Sequence, residues 1–350
     1  RVDADDRALR RRAALKRAAA VYLCEDWSRG DSGAENVETA KDVVKRRRAL
    51  AGKVYAHVSD LGTAWKLRVE SLKGEDPSGI EYFNLDELAA RAYLEAEQLD
   101  HRLSNVRIVV VGATSMAEAI VVASARKVRA ELGFDARLTV TLIDPLASKA
   151  AEAYRARWDV VKKMCHIEAI DSSLHAYLGR PEAVEPAYRI YICHNDEVAA
   201  LSSAMAADAA WRDRPGPVVV LLGQFASSAV ALDSRTVVHG SGSLVIYGTE
   251  SLAAPLVAAG TVGLAHDLAV AAHRAFLADQ LQQGEQMGSS ASMQPWEELS
   301  EDLKRANYAQ ARDLIRKLRL IGATIDLKEE GRPPFRVTPD EVERLAPLEH

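Results

Sequence analysis

Between residues 105 and 248 the chain alternates short, nearly continuous apolar runs with longer amphipathic stretches, and this pattern restricts the fold more than any other feature. The runs are Arg107-Ile-Val-Val-Val-Gly112, Leu138-Thr-Val-Thr-Leu-Ile-Asp144, Cys165-His-Ile-Glu-Ala-Ile170, Arg189-Ile-Tyr-Ile-Cys193 and Pro217-Val-Val-Val-Leu-Leu-Gly223. Strands apolar on both faces are buried on both faces, which requires a parallel sheet covered by helices on each side. The intervening stretches, Met116 to Leu132, Ala147 to Arg157 and Glu197 to Trp211, carry the helical period. Five strands joined by crossovers predict an α/β fold with a doubly wound, Rossmann-like parallel sheet, its connections right-handed.

The first hundred residues read as the second half of the same unit. Ala20-Val-Tyr-Leu-Cys-Glu-Asp26 parallels Arg189-Ile-Tyr-Ile-Cys-His-Asn-Asp196, with cysteines in matching places. Each is followed by a helical stretch, Ala34 to Ala51 and Glu197 to Trp211, and then by another strand, the first of these Lys53 to Ser59. The expected organisation is a partial first copy with a linker over 1–104, a second copy over 105–258, and a helical part over 259–350. Half a parallel sheet has an open edge and an uncovered face, so the first copy needs something to pack against. In the last part, Val262 to Gln283 and Ser300 to Ile321 read as helices flanking a polar loop. Ser300 suits an N-cap, Gly322 a stop, and Thr338-Pro339 the start of a third helix.

Composition narrows the function classes. Lys+Arg 45 against Asp+Glu 50 gives a net charge of −5, which offers no electrostatic footprint for nucleic acid. The block Arg10, Arg11, Arg12, Lys16 and Arg17 reads as a solvated helix face. Three cysteines, Cys24, Cys165 and Cys193, make no disulfide framework, so a reducing, cytoplasmic setting is expected. No apolar run reaches the ~20 residues of a membrane span, and no signal peptide is visible. The chain opens on Arg1 and closes on Leu348-Glu349-His350, so both ends read as cut, the latter either at the start of a purification tag or inside a further helical repeat.

Candidate chemistry gathers at the end of the first strand of the second copy. Gly112-Ala-Thr-Ser-Met-Ala117 stands where a dinucleotide fold places Gly-x-Gly-x-x-Gly/Ala. The first glycine is kept, Thr114 replaces the second, and Ala117 is tolerated as the third. A side chain at Thr114 works against close approach of a pyrophosphate. Backbone amides at the helix start, with the hydroxyls of Thr114 and Ser115 and the neighbouring Met116, can still hold an anion. Asp144 ends the second strand, where an acid meets a ribose hydroxyl. His194 and Asn195 follow the fourth strand at the switch crevice, although Asn195 or Asp196 equally serves as the cap of the next helix. These residues form the cofactor-binding set, with NAD(H) or an adenine nucleotide as the candidate cofactor; a vestigial, purely structural turn is the competing reading. Cys165-His166 and Cys193-His194 suggest zinc, but a doubly wound order puts their strands about 14 Å apart at ~4.8 Å per strand, beyond one tetrahedral site. No Gly-x-Ser-x-Gly, His-Glu-x-x-His or Walker lysine loop appears, so no catalytic residue is named.

In the helical part, Leu268-Ala-Val-Ala-Ala-His273 recurs as Leu345-Ala-Pro-Leu-Glu-His350. Between them lie Met293-Gln-Pro-Trp-Glu-Glu-Leu299 and then Asn307 and Gln310, three apart on one helix face. His273, Trp296, Glu297, Asn307 and Gln310 can bind a polar planar ligand by stacking and hydrogen bonding. The alternative is that Trp296 is core and His273 packs between helices.

Two family resemblances follow. The sheet part resembles the RCK (TrkA-N type) nucleotide-binding domains that regulate potassium channels and transporters. The resemblance rests on Asp3-Ala-Asp-Asp6 with Leu9, Ala18 to Cys24, Glu35-Asn36, the Gly112 turn and Asp196-Glu197-Val198. Glu81-Tyr-Phe-Asn84 with Leu88-Ala-Ala-Arg91 is similar to the connection in tandem members. From Val262 onward the chain resembles the RyR domain, named after ryanodine receptors, through Leu268-Ala269, His273, Pro295-Trp-Glu-Glu-Leu299, Asn307, Gln310-Ala311 and Lys317-Leu318. Phe276 stands where a tyrosine is usual. The resemblance implies a small all-α domain behind tandem Rossmann units, and a non-enzymatic sensor of a nucleotide or nucleotide-derived ligand. It implies a homo-oligomer, such as a dimer, and a membrane-spanning segment or subunit outside this chain. The expected location is the cytoplasm, as the cytosolic part of an inner-membrane protein. An NAD(P)-dependent oxidoreductase and an adaptor with vestigial pockets are the competitors.

Overall fold

The structure is a computed structural model, and it describes residues 20–24, 33–45, 53–72, 80–96, 105–132, 136–179, 187–211, 217–222, 235–239, 242–258, 262, 264–320, 339–340 and 343. Its α/β architecture is built on two sheets that are parallel but for one edge strand. The chain divides into two compact units, residues 60–62 with 84–259, and the remainder.

In the first unit, β1 (Ala20–Leu23), β2 (Lys53–His57) and β3 (Ile80–Phe83) form a parallel sheet in the order β1-β2-β3, connected through α1 (Ala34–Lys45) and α2 (Leu61–Leu72). One face of the sheet, Val21, Val54, Ala56, Ile80 and Tyr82, packs with Val37 and Ala40 of α1 and Ala64 of α2. Gly33 turns the chain into α1 at φ +82°, and a Cβ there would fall 2.8 Å from the His57 carbonyl oxygen. Asn36 Nδ2 donates to that same carbonyl at 3.1 Å, so α1 is fastened to the end of β2. One expectation changes. Ile80–Phe83, read as part of a linker, is a strand: it is short and carries Glu81, which hides it, yet Ile80, Tyr82 and Phe83 are buried. Of the helix expected over Ala34 to Ala51, Ala34–Lys45 is helical, and 46–51 lie outside the described residues.

The second unit begins with α3 (Leu85–Glu95), whose cap Asn84 accepts a hydrogen bond from the Glu87 amide at 2.9 Å through its side-chain oxygen. Asn84→Ala is expected to cost about 1 kcal/mol in the unfolding of this unit, read by denaturant titration. The elements that follow are β4 (Asn105–Val111), α4 (Ser115–Leu132), β5 (Arg137–Asp144), α5 (Ala147–Arg157), α6 (Asp159–Met164) and β6 (Cys165–Asp171). Next come α7 (Leu174–Leu178), β7 (Arg189–Ile192), α8 (Glu197–Trp211), β8 (Val218–Leu222), β9 (Arg235–His239), β10 (Gly242–Gly248) and α9 (Thr249–Ala258). The sheet order is β6-β5-β4-β7-β8-β10-β9. The first strand is thus central and the order reverses between β4 and β7, which is the Rossmann-like arrangement. β8 is buried along its whole length, as a strand covered on both faces must be.

The expected five-strand, all-parallel sheet is corrected to seven strands. β10 pairs parallel with β8, and β9 runs antiparallel to β10 at the edge. Thr236-Val-Val and Leu244-Val-Ile are too short and glycine-flanked to announce themselves as strands. Three strands of each unit repeat one another in topology: β1-β2-β3 and β7-β8-β10 are each parallel, in chain order, and followed by a helix.

The helical part contains α10 (Leu264–Gln282), a 3-10 turn (Trp296–Glu298) and α11 (Glu301–Leu320), close to the expected bounds. Ser300 caps α11, its hydroxyl accepting from the Leu303 amide at 3.4 Å. Ala269, Trp296, Leu299 and Ala311 form its core. Gly322, the Leu345 to His350 repeat and most of the helix expected from Thr338 lie outside the described residues. Among the described residues no helix is long and apolar enough to cross a membrane.

Candidate functional site

The end of β4 is drawn tightly against the end of β7. The Cys193 amide donates to the Val111 carbonyl at 2.8 Å, and the Gly112 amide donates to the Ile143 carbonyl at 2.9 Å. Gly112 then turns at φ +103°, and a Cβ there would sit 2.7 Å from the Cys193 carbonyl oxygen. Glycine is required on both counts. Thr114 stands where the motif has its second glycine, and its side chain is turned inward. Its Oγ1 donates to the Cys193 carbonyl at 2.7 Å and accepts from the Ala117 amide at 3.3 Å. The threonine therefore caps α4 and ties it to β7.

Asp144 lies beside this turn. Its Oδ2 accepts from the Ala113 amide at 3.1 Å and its Oδ1 from the Leu146 amide at 2.8 Å. An ionised carboxylate has about four acceptor positions, so capacity for a ligand hydroxyl remains. His194 completes the near wall. Its Nε2 pairs with Ser203 Oγ at 3.0 Å, and its Nδ1 lies 3.3 Å from the place a Gly112 Cβ would occupy. Burial lowers the His194 pKa, against the opposing pull of Asp144 and Asp196. Burial raises the Cys193 thiol, with Asp86 adding to the effect, so this cysteine is no nucleophile.

Of the seven expected crevice residues, Gly112, Thr114, Ser115, Asp144 and His194 come together at the switch point. Met116 is buried beneath the turn, and Asn195 is exposed on the loop. Asp196 takes the capping role, accepting from the Ala199 amide at 2.7 Å. The sequence reading missed Asp86. It stands in the first turn of α3 and accepts a hydrogen bond from Ser115 Oγ at the start of α4. Behind the site, Glu118 of α4 receives Arg157 at 3.0 and 3.1 Å and the Trp158 indole at 2.7 Å, which fixes the helix on α5 and α6. A separate small apolar pocket, lined by Val106, Ile108, Leu138 and Tyr188, sits at the other end of β4 and includes none of the turn residues.

The zinc exclusion follows from the strand order, since β5 and β4 separate β6 from β7. Among the described residues no group of three His, Cys, Asp or Glu side chains could hold a metal ion. Burial pushes the Cys165 thiol up to about 12.

In the helical part the expected ligand set is only partly gathered. His273 and Trp296 meet, ring centroids 6.0 Å apart, and His273 Nε2 pairs with the Gln294 carbonyl at 2.8 Å. Both are buried. Asn307 spends its amide on the Leu303 carbonyl of its own helix at 2.9 Å, while Glu297 and Gln310 are exposed. The partners of Trp296 that the sequence reading missed are His266 and Tyr308, each with its ring 5.7 Å from the indole. His266 lies two helical turns before His273 on the same face, which was the available signal.

No protein-family model matches the chain, and no curated protein matches it. Among solved structures, a crystal structure of the translation initiation factor eIF-2B from Pyrococcus horikoshii OT3 is similar at 13% identity over 46% of this chain, with a TM-score of 0.25. The match takes in 55% of that chain, so the present chain spans about half of its neighbour's length. A likeness at that score carries no argument about fold or function.

Proposed function

We propose that this chain is a non-enzymatic ligand-sensing module of the RCK type, joined to an RyR-like helical part. In this reading it regulates an ion channel or transporter from the cytoplasmic side and assembles as a homo-oligomer. Its ligand is a nucleotide or nucleotide-derived small molecule, taken by the crevice at Gly112 and Asp144. The observation that supports this best is the placement of the Asp144 carboxylate 3.1 Å from the Ala113 amide, at the point where the strand order reverses. A glycine turn, a helix start and a strand-end acid together suit a ribose and its phosphate. Ligand binding regulates only if it discriminates between two arrangements of the protein.

Thermal-shift titration with NAD, NADH, ATP, ADP, AMP and cyclic nucleotides tests the reading. A binder should raise the melting temperature in proportion to the logarithm of its excess over Kd. Asp144→Ala should weaken that binder about tenfold, the size of one charge-assisted hydrogen bond. Hydride transfer by the purified protein would overturn the non-enzymatic part. A second reading, an adaptor with a vestigial pocket, has its own support: Thr114, Ser115 and Asp144 are already hydrogen-bonded within the chain. No shift with any compound of the panel would favour it.

A further inference from the structure

We propose that the outer edge of β1 is a docking edge for an extended, β-branched apolar strand running parallel to it. The partner is a half-sheet built like β4-β5-β6, whose leading strand takes the place beside β1 that β4 takes beside β7. The inference is independent of what the Gly112 crevice binds.

The internal repeat supplies the template. β1-β2-β3 matches β7-β8-β10, with Ala20 to Cys24 falling on Arg189 to Cys193. β7 is paired on both sides, with β4 and with β8. Among the described residues β1 is paired with β2 alone. The burial of matched residues follows this difference. Tyr191 is 1% exposed and Tyr22 37%, and Cys193 is buried where Cys24 is exposed. In β7 the Ile190 amide donates on the β8 side, to the Pro217 carbonyl at 3.2 Å, and the Cys193 amide on the β4 side, to the Val111 carbonyl at 2.8 Å. Backbone groups of successive residues alternate between the two sides of a strand, so the matched amides of Tyr22 and Cys24 face away from β2. Tyr22 already stacks on Tyr55 of β2, ring centroids 4.6 Å and planes 8° apart. A docked strand would place on its other flank the β-branched residue that Val110 is to Tyr191.

The composition of the edges points the same way. An open edge pairs with any extended chain, and proteins guard such edges with charge, proline or a bulge. The outer strands of the larger sheet are guarded: β6 carries His166, Glu168 and Asp171, and β9 carries Arg235 and His239. β1, Ala20-Val-Tyr-Leu23, carries no charge and no proline. β3, at the other edge of the small sheet, is buried at Ile80, Tyr82 and Phe83. The unguarded strand is therefore the exposed one, and its sequence is that of an interior strand of a wider parallel sheet.

A fluorescent synthetic peptide with the β4 sequence, Asn105 to Ala113, and a lysine tail is to be titrated into the full chain by anisotropy, with thiol labelling of Cys24 followed by mass spectrometry. The peptide should bind saturably and slow Cys24 labelling about tenfold once about nine sites in ten are occupied. The Val111 carbonyl faces β7 and the Gly112 amide faces β5, so by alternation the Val109 amide is on the β1-facing side of the peptide and the Val110 amide is not. N-methylation at Val109 should weaken binding about tenfold, the loss of one backbone hydrogen bond, and N-methylation at Val110 should leave it unchanged. Absence of saturable binding, binding that leaves Cys24 labelling unaltered, or equal effects of the two methylations would overturn the proposal. Protection of Cys24 that grows with protein concentration in the absence of peptide would assign the edge to a second copy and overturn it as well.

Discussion

Replacing Gly112 by alanine is expected to destabilise the larger unit by about 3 kcal/mol or more, lowering its melting transition by roughly 6–12 °C. Two costs combine. The residue adopts φ +103°, which an L side chain rarely tolerates, at about 1–2 kcal/mol. The added methyl also meets backbone, the Cys193 carbonyl oxygen at 2.7 Å and its carbon at 3.0 Å. No flexible side chain can yield there, and overpacking of this kind typically costs about 1–3 kcal/mol. Relief would require β4 and β7 to part, which breaks the bond from the Cys193 amide to the Val111 carbonyl. Paired calorimetric scans of Gly112→Ala and the parent chain measure the effect. A drop under 2 °C would show that the two strand ends are not held together as described.

The first sheet should be acid-labile because of His57. The imidazole is 2% exposed on β2, and burial lowers its pKa from 6.5 to about 4. The folded state therefore keeps His57 neutral while an unfolded chain protonates it. Between pH 6.5 and pH 4 the unfolded state binds the extra proton, so stability falls as the pH falls through this window. At 1.36 kcal/mol per pH unit the full loss is about 3 kcal/mol, and above pH 6.5 the contribution is constant. Denaturant unfolding across pH 4–8, compared with His57→Gln, measures it. The variant should lose most of the acid slope, and an unchanged slope would mean that other groups carry it.

The parallel strands of the second unit were legible in the sequence because burial on both faces leaves unbroken apolar runs. β4, β5 and β8 are the clearest, and even their order followed from general topology. The strand Ile80–Phe83 was not legible, since four residues with a glutamate among them resemble a connector until Tyr82 is seen buried beneath α1 and α2. The hairpin of β9 and β10 hid for a related reason: β9 is a short edge strand that has no need of two apolar faces, and glycine and serine open β10 and shorten its apolar run. At the crevice, Gly112 and Asp144 were readable because their roles depend on position at a strand end. Asp86 was not. Its partner Ser115 is 29 positions away, and nothing in the local sequence distinguishes it among 50 acidic residues. The helical part failed in the opposite direction. Asn307 has the spacing of a ligand residue, but its nearest acceptor is the Leu303 carbonyl on the preceding turn of its own helix.

The contact between Thr114 and Cys193 joins positions 79 apart, and the strands on either side of it cannot register until that whole span has been laid down. Ring closure over such a length is entropically slow, and parallel pairing gives no local hairpin to start it. On a ribosome, β4 would emerge and meet β5 long before β7 exists. For that interval the central strand has one side unzipped, its valines presenting a sticky ribbon to any neighbour. Assembly of the crevice is thus a late event in the life of each newly made chain.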